Sequence, residues 1–488
     1  MDGDLIVRNG QVLSADGSLR LADVVIERGL IAELGPGLEG RGADAVDATG
    51  SVVMPGLVNA HMHSGENFNP GLYENLPLDV WFVRSHQITR AEPPSREAIY
   101  VRTLLGAALM LRGGTTTAVD FLYEAPEITL ETLEPVVQAY RDAGLRATIL
   151  LGVADLPFAR SLPLDAAGAS GREAPTPTFE SIIELATAAV ERWHDPDGLI
   201  AIGLGPSAPQ RCSPRLLAAT RELARERGLA WQTHVLETKT QAATCRDWHG
   251  KTFVELLAEQ GILDQGTTLV HTVWLTDRDI ELMARSKSAA VHCLLSNLRL
   301  GDGVARLPSL TRAGVRLALG TDGRGCDETL DMFELAKMTA LVHKARGGDY
   351  AAWPTAAEAF EMATVGGSTV AGRGERLGRL EPGAHGDLLV LRPDSLALAP
   401  LNDTIRQLVF GAPSRELQTV IVGGRVVVRD GQPVGIDMSW LLDRVPACAR
   451  EVLAGDVSPA AEALERLVGQ MYLGIERRQL DIDAYVRS

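Results

Sequence analysis

Cysteine is scarce in this chain, and its distribution argues against two kinds of site. The five cysteines among 488 residues are odd in number, and no two of them form a C-x-x-C pair. They are Cys212, Cys245, Cys293, Cys326 and Cys448. We therefore expect neither a disulfide framework nor a thiolate zinc site. Such cysteine usage fits a reducing compartment, so we predict a cytoplasmic protein.

Long apolar runs and an excess of basic charge are also missing. No apolar stretch approaches the roughly 20 residues that a membrane-spanning helix needs. The N-terminal residues lack the basic and apolar regions of a signal peptide, so none is expected. The formal net charge is −16, which disfavours nucleic acid and anionic membranes because both attract basic surfaces. We expect a small-molecule partner.

The rest of the composition is that of a globular protein, with 45% hydrophobic and 23% charged residues. A chain this long predicts one large domain and a smaller one. Short β-branched runs, separated by turns at Asn9-Gly10 and Arg28-Gly29, occur near the start, and similar runs return after Asp387. We predict that both termini build a small β-sandwich domain. The predicted divisions are 1–53 and 381–436 for this β domain, 54–380 for the large domain and 437–488 for a helical tail.

The large domain alternates apolar runs with amphipathic stretches. The eight runs are Val52–His63, Thr115–Tyr123, Ala147–Asp155, Leu199–Pro209, Ala230–Glu237, Thr268–Trp274, Ala289–Asn297 and Val315–Gly323. This pattern predicts an α/β fold, a (β/α)8 TIM-like barrel. A doubly wound open sheet is the alternative, and the lack of a G-x-G-x-x-G after an early strand weakens it. Residues 156–178 are predicted to form a long loop that shapes a pocket, with a disordered insert as the alternative.

The first of these runs ends in His61-Met62-His63. Residues two apart on a strand point to the same side, so both imidazoles can reach one ion. Neutral imidazole is a common zinc ligand. The alternative is a pair of unrelated surface histidines.

Other polar residues stand where later strands stop. His234 and Glu237 end the fifth run, His271 lies in the sixth, and Asp322 ends the eighth. In a barrel all carboxyl ends share one face, so these side chains can meet. Three histidines and a carboxylate suit zinc, and they can also bind iron.

Each of these residues has a simpler explanation. His234 alone could be a core histidine, and His271 could support the site without taking part. Glu237 follows His234 by three positions, so strand alternation turns it away unless the chain bends. Asp322 in Thr-Asp-Gly could be an ordinary turn aspartate. All of these explanations must hold together to remove the site.

A set of motifs in chain order resembles a known family. They are Pro55-Gly-Leu-Val-Asn-Ala-His61-Met-His63, Leu76-Pro-Leu-Asp-Val-Trp81, His234-Val-Leu-Glu237, His271, Ser296-Asn-Leu-Arg-Leu and Leu319-Gly-Thr-Asp322-Gly. The chain resembles the amidohydrolase superfamily, in the branch of the S-adenosylhomocysteine deaminases, guanine deaminases and triazine hydrolases. The resemblance covers nearly the whole chain.

The resemblance implies one divalent metal, zinc before iron, held by His61, His63, His234 and Asp322. Strand four lacks the bridging lysine of two-metal relatives, which supports a single ion. A bound metal lowers the pKa of water toward about 7. Asp322 would then accept a proton from that water, His271 would orient it, and Glu237 would protonate a ring nitrogen and the leaving group. Relatives of this kind are often homo-oligomers.

The resemblance therefore implies an amidohydrolase that deaminates an N-heterocycle of the purine, pyrimidine, pterin or triazine kind. One alternative is a different leaving group, such as an alkylamine or chloride, or the C–N bond of an amide or urea. A remote alternative is a non-catalytic barrel scaffold, which would not need a proton shuttle beside a metal.

The chain departs from its nucleoside-binding relatives at several positions. Val80 stands where they often have glutamate, Ser207 where they have histidine, and Pro70 where they have arginine. We therefore predict a substrate other than a nucleoside. Eight residues near strand ends are candidates for substrate contact: Glu66, Asn67, Trp81, Tyr123, Ser296, Asn297, Arg324 and Asp327.

Overall fold

A computed structural model describes residues 4–39, 44–85, 92–164, 176–392, 394–411, 413–454 and 459–480. The middle of the predicted 156–178 loop and the last eight residues of the predicted tail lie outside these ranges. Along the described ranges, no helix is both long enough and apolar enough to cross a membrane.

The strands fall into three groups along the chain. The first group is β1 Leu5–Leu13, β2 Leu19–Glu27, β3 Leu30–Gly35, β4 Asp44–Asp47 and β5 Val52–Pro55. The second is β6 Leu57–Met62, β7 Thr115–Leu122, β8 Arg146–Val153, β9 Ile200–Pro206, β10 Trp231–Val235, β11 Thr267–His271, β12 Ala289–His292 and β13 Arg316–Leu319. The third is β14 Leu388–Leu391, β15 Leu417–Val422, β16 Arg425–Arg429 and β17 Gln432–Pro433.

The helices lie mainly between strands of the second group and after β17. They are α1 Leu78–Ser85, α2 Arg96–Arg112, α3 Leu130–Ala143, α4 Phe179–Trp193, α5 Pro214–Arg227, α6 Lys239–His249, α7 Phe253–Glu259, α8 Asp277–Ser286, α9 Leu294–Arg299, α10 Leu307–Arg312, α11 Arg324–Asp327, α12 Met332–Val342, α13 Ala356–Glu361, α14 Gly367–Val370, α15 Thr404–Gly411, α16 Met438–Leu453 and α17 Pro459–Glu476. Several begin at a Ser or Thr whose side chain accepts from a first-turn N–H, as Ser95 does before α2.

The second group of strands confirms the predicted barrel. Its eight strands pair in sequence, from β6 to β13, and all neighbouring pairs are parallel. Polar contacts join the first strand to the segment after the last. Thr321 N–H donates to Asn59 Oδ1 at 3.0 Å, and Asn59 Nδ2 donates to Thr321 Oγ1 at 2.7 Å. These contacts bring the two ends of the strand series together at the carboxyl face.

Both termini contribute to one further sheet, which takes the place of the predicted β-sandwich. Nine strands form this mixed sheet, in the order β17-β16-β15-β14-β5-β1-β2-β3, with β4 also paired to β1. Its core contains Val53, Val390 and Ile421. The predicted turn at Asn9-Gly10 is wrong, because these residues form an irregularity inside β1. Asn9 has φ 57°, and a Cβ at Gly10 would stand 2.5 Å from Val53 Cγ2.

Two apolar runs prove to be composite. The first divides at Pro55-Gly56, so that β5 belongs to the terminal sheet and β6 to the barrel. A Cβ at Gly56 would lie 2.1 Å from Thr116 Oγ1, which explains the glycine at this junction. The seventh run leaves the sheet after His292 and continues as α9. The predicted domain divisions are not tested by these strand bounds and stay a prediction.

A buried ion pair connects the barrel to the terminal sheet. Arg146 on β8 donates to both carboxylate oxygens of Asp387, at 3.0 and 3.1 Å. Their side chains are only 2% and 1% exposed. The N–H of Gly423 also donates to Asp387, at 2.7 Å. Burial alone would raise the pKa of Asp387, but the charge of Arg146 outweighs it and the pKa is lowered.

Candidate metal centre and active site

The four predicted metal ligands lie together at the carboxyl ends of three barrel strands. The ring centroids of His61 and His63 are 4.7 Å apart, and His234 lies 5.0 Å from the first and 5.5 Å from the second. Asp322 Oδ1 is 3.1 Å from His63 Nε2 and 3.7 Å from His61 Nε2. All four side chains are buried.

Hydrogen bonds at the far side of each ring fix the three imidazoles. His63 Nδ1 bonds the carbonyl of Phe121, and His234 Nδ1 bonds the carbonyl of Ser207, both at 2.6 Å. His61 Nδ1 faces Gln232 Oε1 at 3.2 Å, while the Gln232 amide nitrogen donates to the Ala60 carbonyl. Since each of these partners accepts, Nδ1 carries a proton, and in the neutral ring Nε2 is the nitrogen whose lone pair is available to a metal.

Asp322, the fourth predicted ligand, is held by hydrogen bonds to the backbone and to a serine. Asp322 has φ 68°, and its N–H donates to the His61 carbonyl at 2.9 Å. Ser296 Oγ donates to Asp322 Oδ2 at 2.6 Å. Burial opposes ionisation, but the hydrogen bond and charge of His63 lower the pKa of Asp322 well below its usual range.

This donor set fits a divalent metal. The three histidines offer nitrogen atoms within 4.8 Å of one another. His61 Nε2 is buried and has no hydrogen-bond partner among the described residues, as expected of an atom reserved for an ion. Three imidazoles and one carboxylate match zinc preferences and are compatible with iron.

Glu237 reaches the site because the chain bends after His234, which is the condition stated in the sequence analysis. Strand β10 ends at Val235, and Leu236 then adopts φ 52°. Glu237 Oε1 consequently lies 3.4 Å from His271 Nε2. Burial, together with the negative charges of Asp302 and Asp322, raises the pKa of Glu237 well above its usual value. A raised pKa favours the protonated form of Glu237, which is the form that can donate a proton.

His271 lies between Glu237 and Asp322 in a fixed tautomer. Its Nδ1 is 3.1 Å from the Asn297 amide nitrogen, which can only donate, so the ring proton is on Nε2. His271 Nε2 is 3.9 Å from Asp322 Oδ2. Burial lowers the pKa of His271 to about 3, so the ring is neutral.

A cavity of about 80 Å³ opens above these groups, and a cleft of about 400 Å³ adjoins it. Glu237, His271 and Asp322 line the cavity. The residues that line both spaces are His63, Glu66, Phe82, Tyr123, Phe158 and Arg211.

The eight candidates for substrate contact divide into two groups. Glu66, Trp81 and Tyr123 line the cavity. The other five do not line the cavity, and each forms a hydrogen bond with a neighbouring residue.

The five residues behind the wall each have a partner within the protein. Ser296 bonds Asp322, and Asn297 bonds His271. Asn67 donates to the Arg102 carbonyl, Arg324 donates to the Asn67 carbonyl, and Asp327 accepts from the N–H of Leu330. Of these five, Ser296 and Asn297 contact the candidate catalytic side chains directly.

Sequence reasoning missed two residues at the site. Gln232, which fixes His61, is two positions before His234 on β10, so strand alternation could have indicated it. Asp79 lines the cavity and accepts from Thr240 Oγ1 at 2.5 Å, whereas its neighbour Val80 packs into an apolar cluster with Val83 and Phe158. Asp79 thus places a carboxylate one residue before Val80, the position at which the nucleoside-binding relatives often have glutamate.

The model of the Amidohydrolase family matches residues 52–427 of this chain. The chain belongs to the amidohydrolase family. This finding confirms the resemblance seen in the sequence and the assignment of a hydrolase, since named deaminases are among the relatives. A 5-methylthioadenosine/S-adenosylhomocysteine deaminase of Thermococcus sibiricus is 35% identical over 431 residues, which is 87% of this chain and 94% of that protein.

Solved structures with the same fold carry zinc. An adenosine deaminase from Xanthomonas campestris with bound zinc matches with TM-score 0.80 and 26% identity, over 93% of this chain and 99% of that one. An atrazine chlorohydrolase from Arthrobacter aurescens with zinc matches with TM-score 0.79 and 23% identity, over 91% and 100%. The second likeness shows the fold alone.

The prediction of a substrate other than a nucleoside is not borne out. Methylthioadenosine, S-adenosylhomocysteine and adenosine, for which two of these relatives are named, are all nucleosides. The prediction relied on the departures at Val80, Ser207 and Pro70, and it did not consider the carboxylate that Asp79 brings to the cavity.

Proposed function

We propose that this protein is a metal-dependent aminohydrolase that removes the amino group of an N-heterocycle, with adenine nucleosides as the first substrate class to test. The observation that carries the proposal is the position of Glu237, whose buried carboxyl group is 3.4 Å from His271 and lines the same cavity as Asp322. His61, His63, His234 and Asp322 would hold one divalent metal, zinc in the first instance. When bound, such an ion supplies Lewis acidity and makes a coordinated water more acidic.

The side chains can carry both proton transfers of a hydrolytic deamination. Asp322 accepts a proton from the attacking water, and the Nε2–H of neutral His271 orients that water. Glu237 donates its proton to a ring nitrogen as the water oxygen bonds to the adjacent carbon. The amino nitrogen then takes the proton held by Asp322, the C–N bond breaks, and ammonia leaves. The hydroxyl group on the attacked carbon then returns a proton to Glu237 as the carbonyl forms, and the ring nitrogen keeps the proton that it received.

Ammonia release by zinc-loaded protein tests this proposal. The panel is adenosine, 5′-methylthioadenosine, guanine, isocytosine and pterin. We expect release from one ring class, and we expect Glu237→Gln to keep its metal while turnover falls by about 10²–10⁴-fold. Substrate loss without ammonia would instead favour another leaving group. Full activity of the Glu237→Gln variant would refute the role of Glu237.

A further inference from the structure

A second buried carboxyl group faces the cavity, and the mechanism above does not use it. Glu66 ends a short 3-10 turn, Ser64–Glu66, directly after the strand that carries His61. It is only 5% exposed and lines both the cavity and the cleft. Glu237 follows the fifth strand, which stands across an eight-stranded barrel from the first. A ring placed over the metal ligands therefore lies between Glu66 and Glu237.

The hydrogen-bonding capacity of Glu66 is only partly used by the protein. The N–H of Gly325 donates to its carboxyl group, and Cys326 Sγ is 4.0 Å from Oε2. Oε1 is buried and has no hydrogen-bond partner among the described residues. No lysine or arginine of the described part of the chain forms an ion pair with it. A buried acceptor without a hydrogen-bond partner costs stability, so we expect a bound ligand to donate a hydrogen bond to Oε1.

The surrounding backbone reserves space for this carboxyl group. A Cβ at Gly323 would stand 1.9 Å from Glu66 Oε2, and a Cβ at Gly325 would stand 3.0 Å from it. The turn itself is fixed, since the N–H of Ser64 donates to Asp120 Oδ1 at 2.9 Å. The carboxyl group is thus preorganised beside the site before any ligand enters.

We propose that Glu66 is a specificity-determining residue whose free oxygen accepts a hydrogen bond from an N–H or O–H group of the substrate. The substrate class is then an amino-heterocycle with a donor besides the amino group that it loses. This inference rests on the proposed function. Two sources supply such a donor, a ring N–H of the base and a hydroxyl group of a nucleoside sugar.

Binding measurements on matched pairs of compounds distinguish the two sources. Zinc-loaded Glu237→Gln protein turns over slowly, so calorimetry can measure equilibrium dissociation constants. Adenosine is compared with 2′,3′-dideoxyadenosine, and isocytosine with 3-methylisocytosine. Each second compound lacks one kind of donor. The same four titrations are repeated after adding Glu66→Leu, and after adding Glu66→Gln, which keeps one acceptor oxygen.

We expect Glu66→Leu to weaken binding of one donor-bearing compound by about 10–100-fold, Glu66→Gln to weaken it less, and neither to affect the matched compound by more than about twofold. The pair that shows this coupling identifies the donor. Equal losses within both pairs, or no losses, overturn the inference while leaving the deaminase proposal intact. If none of the four compounds binds, the donor assignment is overturned, and ammonia release by the unmodified protein judges the proposed function separately.

Thermal melting of the same variants separates recognition from a structural role. Because Glu66 Oε1 lacks a partner, Glu66→Leu is expected to melt no lower than the unmodified protein, with unchanged zinc content. A melting temperature lowered by several degrees would show that Glu66 mainly holds the Gly323–Cys326 backbone, and that result would overturn the inference.

Discussion

Replacing Arg146 by methionine should destabilise the whole molecule by a predictable amount. The substitution leaves Asp387 buried without the guanidinium that pairs with both of its oxygens. Removing one partner of a buried pair costs about 3–5 kcal/mol. The unfolding entropy is about 2.1 cal/mol/K per residue, which for 488 residues gives roughly 1 kcal/mol/K if the chain unfolds as a unit. The melting temperature should therefore fall by about 3–5 °C.

The pH of the experiment decides whether the full effect is seen. The pKa of Asp387 is lower in the folded protein than its usual value. Its stabilising contribution is therefore complete above the unfolded pKa of about 4 and is lost as pH falls through the folded value. Differential scanning calorimetry at pH 7 measures the whole effect, and the gap between variant and unmodified protein should narrow in acid.

A matched control removes an arginine from an exposed pair. Arg392 and Asp394 are 53% and 69% exposed, so Arg392→Met should change the melting temperature by less than about 1 °C. If Arg146→Met also melts within about 1 °C of the unmodified protein, the buried Asp387 does not need the guanidinium of Arg146. That result would show that this ion pair does not stabilise the fold.

Three further predictions concern the metal site. Gln232→Leu removes the acceptor for His61 Nδ1 and should lower zinc affinity about 10–100-fold in competition with a chelator, and unchanged affinity would show that this hydrogen bond does not position the ligand. In metal-free protein burial disfavours the charged ring of His63, but the hydrogen bond that this ring donates to Asp322 raises its pKa to about 9. Zinc must therefore displace a proton below that pH, and zinc affinity should rise about tenfold per pH unit toward pH 9; a flat profile from pH 6 to 8 would contradict this. Gly320→Ala places a Cβ 2.7 Å from His61 Cβ, so it should lower the stability of the protein by about 1–3 kcal/mol and reduce its zinc content. Gly469→Ala in α17 is the control, because a Cβ there meets no heavy atom within 4 Å. Equal stability and zinc content in the two variants would show that the space at Gly320 does not matter.

The fold and the convergence of the four candidate metal ligands could be predicted from the sequence because each follows a local rule. The alternation of apolar runs and amphipathic stretches predicted the eight-stranded barrel, and His61 and His63 share a strand face. Their convergence with His234 and Asp322 followed from the shared carboxyl face of the barrel strands. The bend at Leu236 that brings Glu237 inward could only be stated as a condition.

The cavity wall was much less accessible, because sequence neighbours can face opposite directions in a turn or helix. Asn67 follows Glu66 directly, yet it donates to α2 while Glu66 lines the cavity. Asp79 and Val80 are adjacent on α1, and only the first faces the site. The prediction about nucleosides considered Val80 and not Asp79, because the side of a helix that faces the site cannot be assigned without the helix phase.

Metal-dependent deamination is tested directly by titrating zinc into metal-free protein while ammonia release from the best substrate of the panel is followed. We expect no ammonia release without metal, a rise in proportion to added zinc and a plateau at about one ion per chain. The Glu237→Gln variant should bind the same amount of zinc and release almost no ammonia. Undiminished ammonia release from metal-free protein would contradict the proposed function. The same plateau in variants that lack His61, His63, His234 or Asp322 would contradict the proposed metal site.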